Sequence, residues 1–473
     1  MTLMSDRYDL IILGSGSTAF AAALRAADHG ARVAMFEKSV LGGTCVNWGC
    51  IPSKTLIHDA LFRHEAEAGR NVGSMPDKGL QPIDGEQLYR HRESVVSKLR
   101  KERYLDVLGG MNGLDLFKGT ARFIDARTVE CDERRFRSER ILIAVGGTPR
   151  IPPVPGLETS DYMTSRSALL SKDIPESLVV IGGGVIAVEL GQMYQRLGSR
   201  VTILEHGPRL LPMVEPELSA ALERIFIREH ITVVTDSTVS SVERIDNRTL
   251  VHTEVDGARH VFSCDRLLLA VGTVPATGGI GLEHAGVATD RRGFIITDRR
   301  MRTSAEGIWA AGDVVGRMMI ATVGAREGIV AVEDMFNPAC RCTMDYLGAP
   351  MAIFTDPEAA MVGYTQDKAA REGIDHCVNC MPVSAIPKAH VTGTPDGVIK
   401  MIAERPSGRL LGIHLLCHRG ADMINEASLA LRMRATIADM ASTMHVYPSI
   451  GEGLRLCAQG FSRDISRLSC CAE

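Results

Sequence analysis

Short apolar runs that end in glycine alternate with amphipathic stretches over the first two thirds of the chain. Residues 8–14 (YDLIILG) are almost entirely apolar and end at a glycine, which is typical of a buried parallel strand. The stretch 17–28 is rich in alanine and predicts a helix, and residues 32–37 predict a second strand. The three segments together predict a βαβ unit.

The same succession of elements recurs further along the chain. Strands are predicted over 178–182 and 200–205, with a helix over 185–197 between them. The runs 140–146 (RILIAVG) and 266–272 (RLLLAVG) resemble each other, and we interpret the second run as the return of the chain toward the first unit. Two βαβ units in one chain indicate two dinucleotide sites.

The last third of the chain has a different pattern. Strands are predicted over 397–402 and 410–416, followed by a helix around 422–435, and we interpret this part as an α+β domain. The proline-rich stretch 149–156 suits neither a helix nor a central strand, so it marks the passage from the first domain to the second. The predicted fold class is α/β, with two Rossmann-like three-layer domains and a C-terminal α+β domain.

Length, charge and composition exclude several classes of protein. The 473 residues correspond to about three domains of roughly 150 residues each. A formal net charge of −4 argues against a nucleic-acid-binding protein, and no apolar run reaches the ~18 residues that a membrane span requires. The N-terminus lacks the features of a signal peptide, so we expect a cytoplasmic protein whose 12 cysteines divide into a few reactive ones and several buried ones.

Each predicted βαβ unit contains a glycine-rich turn between its first strand and its helix. In residues 14–19 (GSGSTA), Gly14 permits the tight turn, Gly16 lets a diphosphate approach the backbone, and Ala19 allows close packing of helix and strand. A diphosphate is expected on the N–H groups at the start of each helix. The second turn (GGGVIA) repeats the pattern with Gly182, Gly184 and Ala187.

An acidic residue ends the second strand of each unit. Glu37 and Glu205 are placed to accept hydrogen bonds from ribose hydroxyls. A carboxylate repels a 2′-phosphate, so Glu205 favours NADH over NADPH. The alternative is that Glu205 faces solvent and that Arg200 or Arg209 tolerates the phosphate.

The cysteines of residues 42–54 (GGTCVNWGCIPSK) indicate a second kind of chemistry. Cys45 and Cys50 stand where a predicted loop turns into a helix, and Pro52 suits the first helical turn. A helix N-terminus favours the thiolate, which is the reactive form of cysteine. The alternative, two buried cysteines without chemistry, is disfavoured by the flanking glycines, which let a ring system approach the backbone.

The segment 42–54 resembles the active-site motif of the flavin disulfide oxidoreductases, which include glutathione reductase, dihydrolipoamide dehydrogenase and mercuric reductase. The resemblance covers nearly the whole chain, and it implies FAD and NAD(P)H as cofactors. It also implies an FAD-binding domain in two parts (1–155 and 273–345), an inserted NAD(P)-binding domain (156–272) and a dimerisation domain (346–473).

The same resemblance implies roles for individual residues. Cys50 would face the flavin as a thiolate, and Cys45 would be the outward, exchanging thiol. Lys54 and Glu189 match an ion pair near the reactive edge of the flavin. Asp313, at the end of the sequence IWAAGD, would meet the ribityl chain. Further cofactor contacts are implied at Gly43, Thr44, Gly146 and Gly272.

The C-terminal motif departs from that of the disulfide reductases, which carry His-x-His-Pro followed by a glutamate. This chain has His445-Val446-Tyr447-Pro448 and retains Glu452. A phenol, with an unperturbed pKa near ~10, is a poor acid–base group at neutral pH compared with imidazole. We therefore expect weak dithiol exchange, and we interpret His445 as structural.

The end of the chain suggests another substrate. Cys470 and Cys471 are adjacent, and soft thiolates select soft metal ions. The tail 468–472 resembles that of mercuric reductases, as does Tyr447, and Tyr104 matches a further tyrosine of their active site. The resemblance implies that Hg(II) arrives as a thiol complex at the partner subunit's tail in a homodimer, and passes to a pair of ligands, Cys45 and Cys50.

Three alternatives remain open from the sequence. One is a disulfide reductase of the dihydrolipoamide dehydrogenase type, which Tyr447 disfavours. Another is a metal-sequestering protein with a vestigial flavin fold, which the intact Lys54, Glu189 and Asp313 disfavour. The third, a redox-sensing interaction protein, has no positive feature in the sequence.

The other cysteines are interpreted as structural. Cys377 and Cys380 have C-x-x-C spacing, but the second half of a zinc site is missing. Cys340 and Cys342 are expected in the loop before the last domain. The isolated cysteines are expected to be buried: Cys131, Cys264, Cys417 and Cys457.

Overall fold

Two parallel sheets and one antiparallel sheet organise the protein, in a computed structural model that describes residues 6–71, 73–74, 83–337 and 339–467. Each of these sheets is the centre of one unit of the fold, and the units are numbered here in the order in which their sheets begin along the chain. No helix within the described ranges is both long and apolar enough to cross a membrane.

The first unit is built on a five-stranded parallel sheet. Its central strand, Leu10–Leu13, is buried on both faces, as the continuous apolar run predicts. Helices Ser17–Asp28 and Ala321–Phe336 pack on one face, and a smaller four-stranded sheet packs on the other. The parallel strands, in spatial order, are Ile308–Ala310, Ile141–Ile143, Leu10–Leu13, Val33–Glu37 and Leu114–Lys118. The smaller sheet contains Asp6–Arg7, Arg134–Arg137, Thr128–Cys131 and Arg122–Asp125.

The second unit repeats this plan with a second parallel sheet. Helix Val185–Arg196 follows the strand Ser177–Ile181, so the predicted βαβ unit is present. The parallel strands, in spatial order, are Tyr162–Thr164, Arg266–Leu269, Ser177–Ile181, Arg200–Leu204 and Thr232–Val234. The accompanying antiparallel sheet contains Ser237–Ile245, Arg248–Val255 and Ala258–Cys264.

The interpretation of residues 266–272 as the return toward the first unit is wrong. Arg266–Leu269 lies inside the second sheet, between Ser177–Ile181 and Tyr162–Thr164. Its resemblance to residues 140–146 has a structural reason, because each run holds the strand that pairs with the strand before the glycine-rich turn of its own unit.

The true return begins immediately afterwards. Thr273–Pro275 pairs with Gly147–Pro149 in a two-stranded link between the units. The chain then rejoins the first sheet at Ile308–Ala310, which pairs with Ile141–Ile143. The second unit is therefore an insertion within the first.

The third unit is an antiparallel sheet covered by helices. The predicted strands at 397–402 and 410–416 are Val398–Glu404 and Leu410–Cys417, which pair at the centre of the sheet. The strands, in spatial order, are Met351–Ile353, Glu358–Gly363, Leu410–Cys417, Val398–Glu404 and His376–Pro382. The associated helices are Gln366–Arg371, Pro387–Thr392, Gly420–Arg432, Ile437–Ser442 and Glu452–Gln459. The predicted fold class, two α/β units and an α+β unit, is confirmed.

The remaining helices surround the segment that carries the N-terminal cysteine pair. Cys45 lies within helix Gly43–Trp48, not in a loop, and Cys50 begins the long helix Cys50–Asn71. The other helices are Gly85–Arg100, Asp106–Gly109, Ser165–Leu170, Pro216–Arg228 and Leu282–Ala285. A π-helical turn covers Lys101–Leu105, and 3₁₀ turns cover Leu157–Thr159, Asp313–Val315, Val383–Ala385 and Ile465–Arg467.

Candidate active site

A cavity of about 490 Å³ lies at the carboxyl ends of the first sheet's strands, where the second unit faces it. In open α/β sheets this edge is where ligands bind. The cavity is bordered by eleven of the predicted site residues: Gly14, Gly16, Glu37, Gly43, Thr44, Cys45, Cys50, Lys54, Gly146, Glu189 and Asp313.

The first glycine-rich turn requires glycine at its first position. Gly14 has a φ of +108°, and a Cβ there would come within 2.3 Å of the Ala144 carbonyl oxygen. Gly43 also lies close to this turn, because a Cβ on Gly43 would lie 2.6 Å from the Gly16 Cα. The phosphate-binding turn and the cysteine-bearing helix are therefore in backbone contact. Ala19 lies outside the cavity border and is buried, consistent with a packing position.

The carboxylate of Glu37 closes the turn. It accepts a hydrogen bond from the Ser15 hydroxyl at 2.5 Å and another from the Ser39 N–H at 2.6 Å. These contacts hold the acid at the end of its strand, beside the cavity.

The residues of the cavity fit FAD. The Asp313 carboxylate borders the cavity, burial raises its pKa, and its side chain makes no hydrogen bond to another residue of the described ranges. A half-buried carboxylate of this kind suits the hydroxyl groups of a ribityl chain. A Cβ on Gly146 would meet no protein atom within 4 Å, so the backbone there is open to a ligand.

The two cysteines form a hydrogen-bonded pair of free thiols with different proton affinities. The Cys45 thiol donates to Cys50, which lowers the pKa of Cys50 to about 7 against the opposing effect of burial, and the Lys54 ammonium contributes in the same direction. The same hydrogen bond, with burial, raises the pKa of Cys45 far above its ordinary value. Near neutral pH Cys50 is therefore the thiol of the pair that ionises, while Cys45 keeps its proton.

The Lys54–Glu189 ion pair predicted from the resemblance forms across the units. The Lys54 Nζ lies 2.7 Å from the Glu189 Oε2, and Glu189 is buried. The other carboxylate oxygen accepts from the Phe354 N–H at 2.9 Å, while the Lys54 Nζ lies 4.6 Å from the Phe354 ring centroid. Residues of all three units thus fix the ammonium group near Cys50.

Tyr104 lies near Cys45, and Ser17 contacts both side chains. The Ser17 Oγ is 3.4 Å from the Tyr104 hydroxyl, and the Ser17 hydroxyl also hydrogen-bonds to the Cys45 thiol. The Tyr104 ring packs edge-on against Phe20, with 4.6 Å between centroids, and burial raises its pKa. Tyr104 belongs to the π-helical turn, a feature frequent at functional sites.

Sequence reasoning missed two residues at this site. Ser17 is a variable position of the glycine motif, and only the fold brings it between Tyr104 and Cys45. Arg166 of the second unit lies 3.7 Å above the ring centroid of Trp48, and both residues border the cavity. No sequence signal links Arg166 to Trp48, because they are far apart along the chain.

The second glycine-rich turn repeats the design of the first. Gly182 has a φ of +107°, and a Cβ there would lie 2.5 Å from the Ala270 carbonyl oxygen. Glu205 accepts hydrogen bonds from the N–H groups of Gly183 and Gly207. Ala187 is buried in the helix behind the turn. A Cβ would meet no protein atom within 4 Å at either Gly184 or Gly272.

The C-terminal motif lies apart from the border of this cavity. His445 bonds to Glu426 at 3.0 Å, which raises the pKa of His445. Tyr447 is 46% exposed, and one Glu452 oxygen accepts from Arg455 at 2.8 Å. The residues predicted as tail ligands, Cys470 and Cys471, lie outside the described residues.

The remaining cysteines separate into three groups. Cys377 and Cys380 are three residues apart on the strand His376–Pro382, so they point to opposite faces of the sheet. Cys340 and Cys342, expected only as loop residues, are joined in a disulfide. The isolated cysteines are buried as predicted: Cys131, Cys264, Cys417 and Cys457.

Comparison with known proteins places the chain in one family along most of its length. Residues 8–328 match the family described as pyridine nucleotide-disulphide oxidoreductase, and residues 349–458 match that family's dimerisation domain. The mercuric reductase of Lysinibacillus sphaericus is 38% identical over 467 residues, which cover 99% of this chain and 85% of that protein. The mercuric reductase of Streptomyces lividans is 38% identical over 472 residues, which cover 98% of this chain and 98% of that protein.

A solved structure shares the whole fold. The Cu(II) complex of the HOCl-induced flavoprotein disulfide reductase RclA from Escherichia coli matches with a TM-score of 0.85 and 30% identity. The match covers 96% of this chain and 99% of RclA. The chain therefore belongs to the pyridine nucleotide-disulphide oxidoreductase family, whose cofactors are FAD and a pyridine nucleotide, and the mercuric reductases are among its relatives.

Proposed function

We propose that the protein reduces Hg(II) to Hg(0) in the reaction NAD(P)H + Hg(II) → NAD(P)⁺ + H⁺ + Hg(0). The observation that carries this proposal is the pair of free thiols, Cys45 and Cys50, beside the Lys54–Glu189 ion pair in a cavity that the first glycine-rich turn also borders. When bound, FAD supplies the two-electron chemistry that connects the nicotinamide to this thiol pair.

The two thiols suit ligand exchange with a mercuric thiol complex. The Cys50 thiolate displaces one carrier thiolate from Hg(II), because soft thiolates bind soft cations. When Cys45 displaces the second carrier, its proton leaves on that carrier thiol. The Lys54 ammonium, fixed by Glu189, stabilises negative charge on Cys50 throughout. Cys45 and Cys50 are thus the proposed metal ligands, and Tyr104 lines the approach to Cys45.

The delivery of Hg(II) involves a second subunit in this proposal. The matched dimerisation domain supports a homodimer. Cys470 and Cys471 of one subunit would strip carrier thiols at the active site of the other, with Tyr447 at the same junction. The domain assignment that accompanies this proposal is FAD binding by 1–155 and 273–345, NAD(P) binding by 156–272, and dimerisation by 346–473.

We also propose that NADH is preferred over NADPH. The Glu205 carboxylate is held at the end of its strand by the Gly183 and Gly207 N–H groups, where it would meet the ribose. A 2′-phosphate would be repelled by this charge. The ratio of kcat/KM for the two nucleotides tests the preference, and a higher value for NADPH would contradict it.

The function is tested by adding NADH and thiol-buffered Hg(II) to the purified yellow protein and measuring mercury vapour. We expect vapour formation in proportion to NADH consumed, and its loss in Cys50→Ser. Lipoamide and Cu(II) are offered in parallel assays, because a disulfide reductase would reduce the first and the solved RclA structure is a complex with the second. Rapid lipoamide reduction without mercury vapour would overturn the proposal.

A further inference from the structure

The disulfide between Cys340 and Cys342 lies beside a second cavity, far from the proposed active site. This cavity has a volume of about 650 Å³, within the range of small-molecule sites, and both cysteines border it. Helix Ala321–Phe336 begins at the first cavity, and its later residues Arg326, Ile329, Val330 and Glu333 border the second. Cys340 follows four positions after the end of this helix. Its 16 residues span ~24 Å, so the disulfide is not part of the flavin site.

Two sulfur atoms are the available soft donors in this cavity. The carboxylate of Glu333 is already engaged, since one oxygen accepts from Arg25 and His29 and the other accepts from Asn337 at 3.2 Å. Asp28 pairs with the same Arg25 at 3.1 Å. A hard cation requires several free oxygen ligands, so this cavity does not suit one.

One guanidinium at the cavity border can stabilise a thiolate once the disulfide is open. Arg326 borders the cavity, is exposed, and forms no ion pair with another residue in the described part of the chain. A nearby guanidinium stabilises a thiolate and repels multivalent hard cations that lack sulfur affinity. The half-buried position of both cysteines leaves them accessible to a small thiol through the cavity.

We propose that Cys340 and Cys342 form a second thiol site, which a small thiol opens and which then binds a soft two-coordinate cation such as Hg(II). Two carrier thiols reduce the disulfide through a mixed disulfide, and they leave as the oxidised carrier disulfide while both cysteines gain protons. The open pair then exchanges with Hg(SR)₂ to give a chelated Hg(II) and two free RSH. The metal stays in its oxidation state, so the site stores the ion and does not reduce it.

The test compares wild type with Cys340→Ser/Cys342→Ser and with Cys377→Ser/Cys380→Ser, a matched pair whose cysteines face opposite sides of a strand. Each protein is treated with a small thiol, desalted anaerobically, and equilibrated with thiol-buffered Hg(II), and the bound metal is measured. We expect wild type and the 377/380 variant to retain one more Hg(II) per chain than the 340/342 variant. Equal metal content in all three proteins would overturn the proposal.

Two further readouts make the result independent of the variant's folding and of the catalytic proposal. In wild-type protein, the peptide containing residues 340–342 should gain two alkyl groups only after thiol treatment, and full alkylation without treatment would contradict the closed disulfide. NADH-dependent mercury vapour formation should be unchanged in the 340/342 variant. A loss of vapour formation with unchanged metal content would instead place this pair in the catalytic path.

Discussion

At the scale of single residues, the chemistry depends on where one proton resides. The hydrogen bond from Cys45 is the largest influence on the Cys50 thiolate, and the Lys54 ammonium is a smaller one. With a pKa of about 7, roughly half of Cys50 is thiolate at pH 7. The fraction rises with pH, so the reactivity of this thiol should titrate near neutrality.

Removing Cys45, the hydrogen-bond donor, should raise the pKa of Cys50. We expect Cys45→Ala to raise the pKa of Cys50 toward its ordinary value near ~8.5, which leaves roughly 3% thiolate at pH 7. Lys54→Met should raise it by less, because its influence is smaller. The pH dependence of Cys50 alkylation, followed by mass spectrometry, measures both shifts. An unchanged midpoint in Cys45→Ala would show that the neighbouring thiol does not set the proton affinity.

Ser17 is expected to act with Tyr104 as one unit. Ser17→Ala removes the hydroxyl that contacts both Tyr104 and Cys45, and we expect about a fivefold loss of mercury reduction, equivalent to ~1 kcal/mol for one hydrogen bond. Tyr104→Phe keeps the ring against Phe20 and should give a similar loss. The double variant should then be no worse than either single one. Additive losses would mean that the two hydroxyls act separately.

At the scale of elements, each glycine-rich turn begins with a glycine at positive φ, where a Cβ would overlap a carbonyl oxygen. The turn motifs were predictable from the sequence because their chemistry is local, as were the helix Ser17–Asp28 and the strands on either side of it. The strand Arg266–Leu269 was misplaced because apolar periodicity identifies a buried strand without naming its sheet. Pairing between distant strands is decided by the whole fold.

A comparison of Gly14→Ala with Gly30→Ala should distinguish the effect of steric overlap from that of backbone strain. Gly14→Ala places a Cβ 2.3 Å from the Ala144 carbonyl oxygen, whereas Gly30→Ala, at a φ of +72°, meets no atom within 4 Å. Gly30→Ala should therefore lower stability by only ~1–2 kcal/mol and keep its flavin. We expect Gly14→Ala to lose bound flavin, measured as the ratio of visible to protein absorbance. Full flavin content in Gly14→Ala would contradict this reading of the turn.

At the scale of the whole molecule, buried charges connect units that are separated along the sequence. The Lys400 Nζ of the third unit lies 2.7 Å from the Glu215 Oε2 and 2.8 Å from the Glu217 Oε1 of the second. Neither this cluster nor the stacking of Arg166 on Trp48 could be predicted, because each joins residues that only tertiary structure brings together. The sequence predicted the candidate site's motifs, but not the contacts that orient them.

Removing the Lys400 ammonium should lower the stability of the protein. Lys400→Met leaves the buried Glu215 carboxylate without its cation, and we expect a loss of ~3–5 kcal/mol in the free energy of unfolding. The double variant Lys400→Met/Glu215→Gln should recover much of this loss, and Lys101→Met, at an exposed pair with Asp106, should change little. Urea unfolding measures all three, and equal effects of the buried and exposed substitutions would contradict the argument.

The position of Glu189 has a consequence for how the molecule works. This one buried carboxylate is shared between a side chain of the first unit and a main-chain group of the third, while its own helix belongs to the second. Any hinge motion between the units would have to break these bonds. The three units should therefore move as one rigid body. Side chains at the entrance of the active-site cavity, and not an opening of the domains, should control how reactants enter and leave.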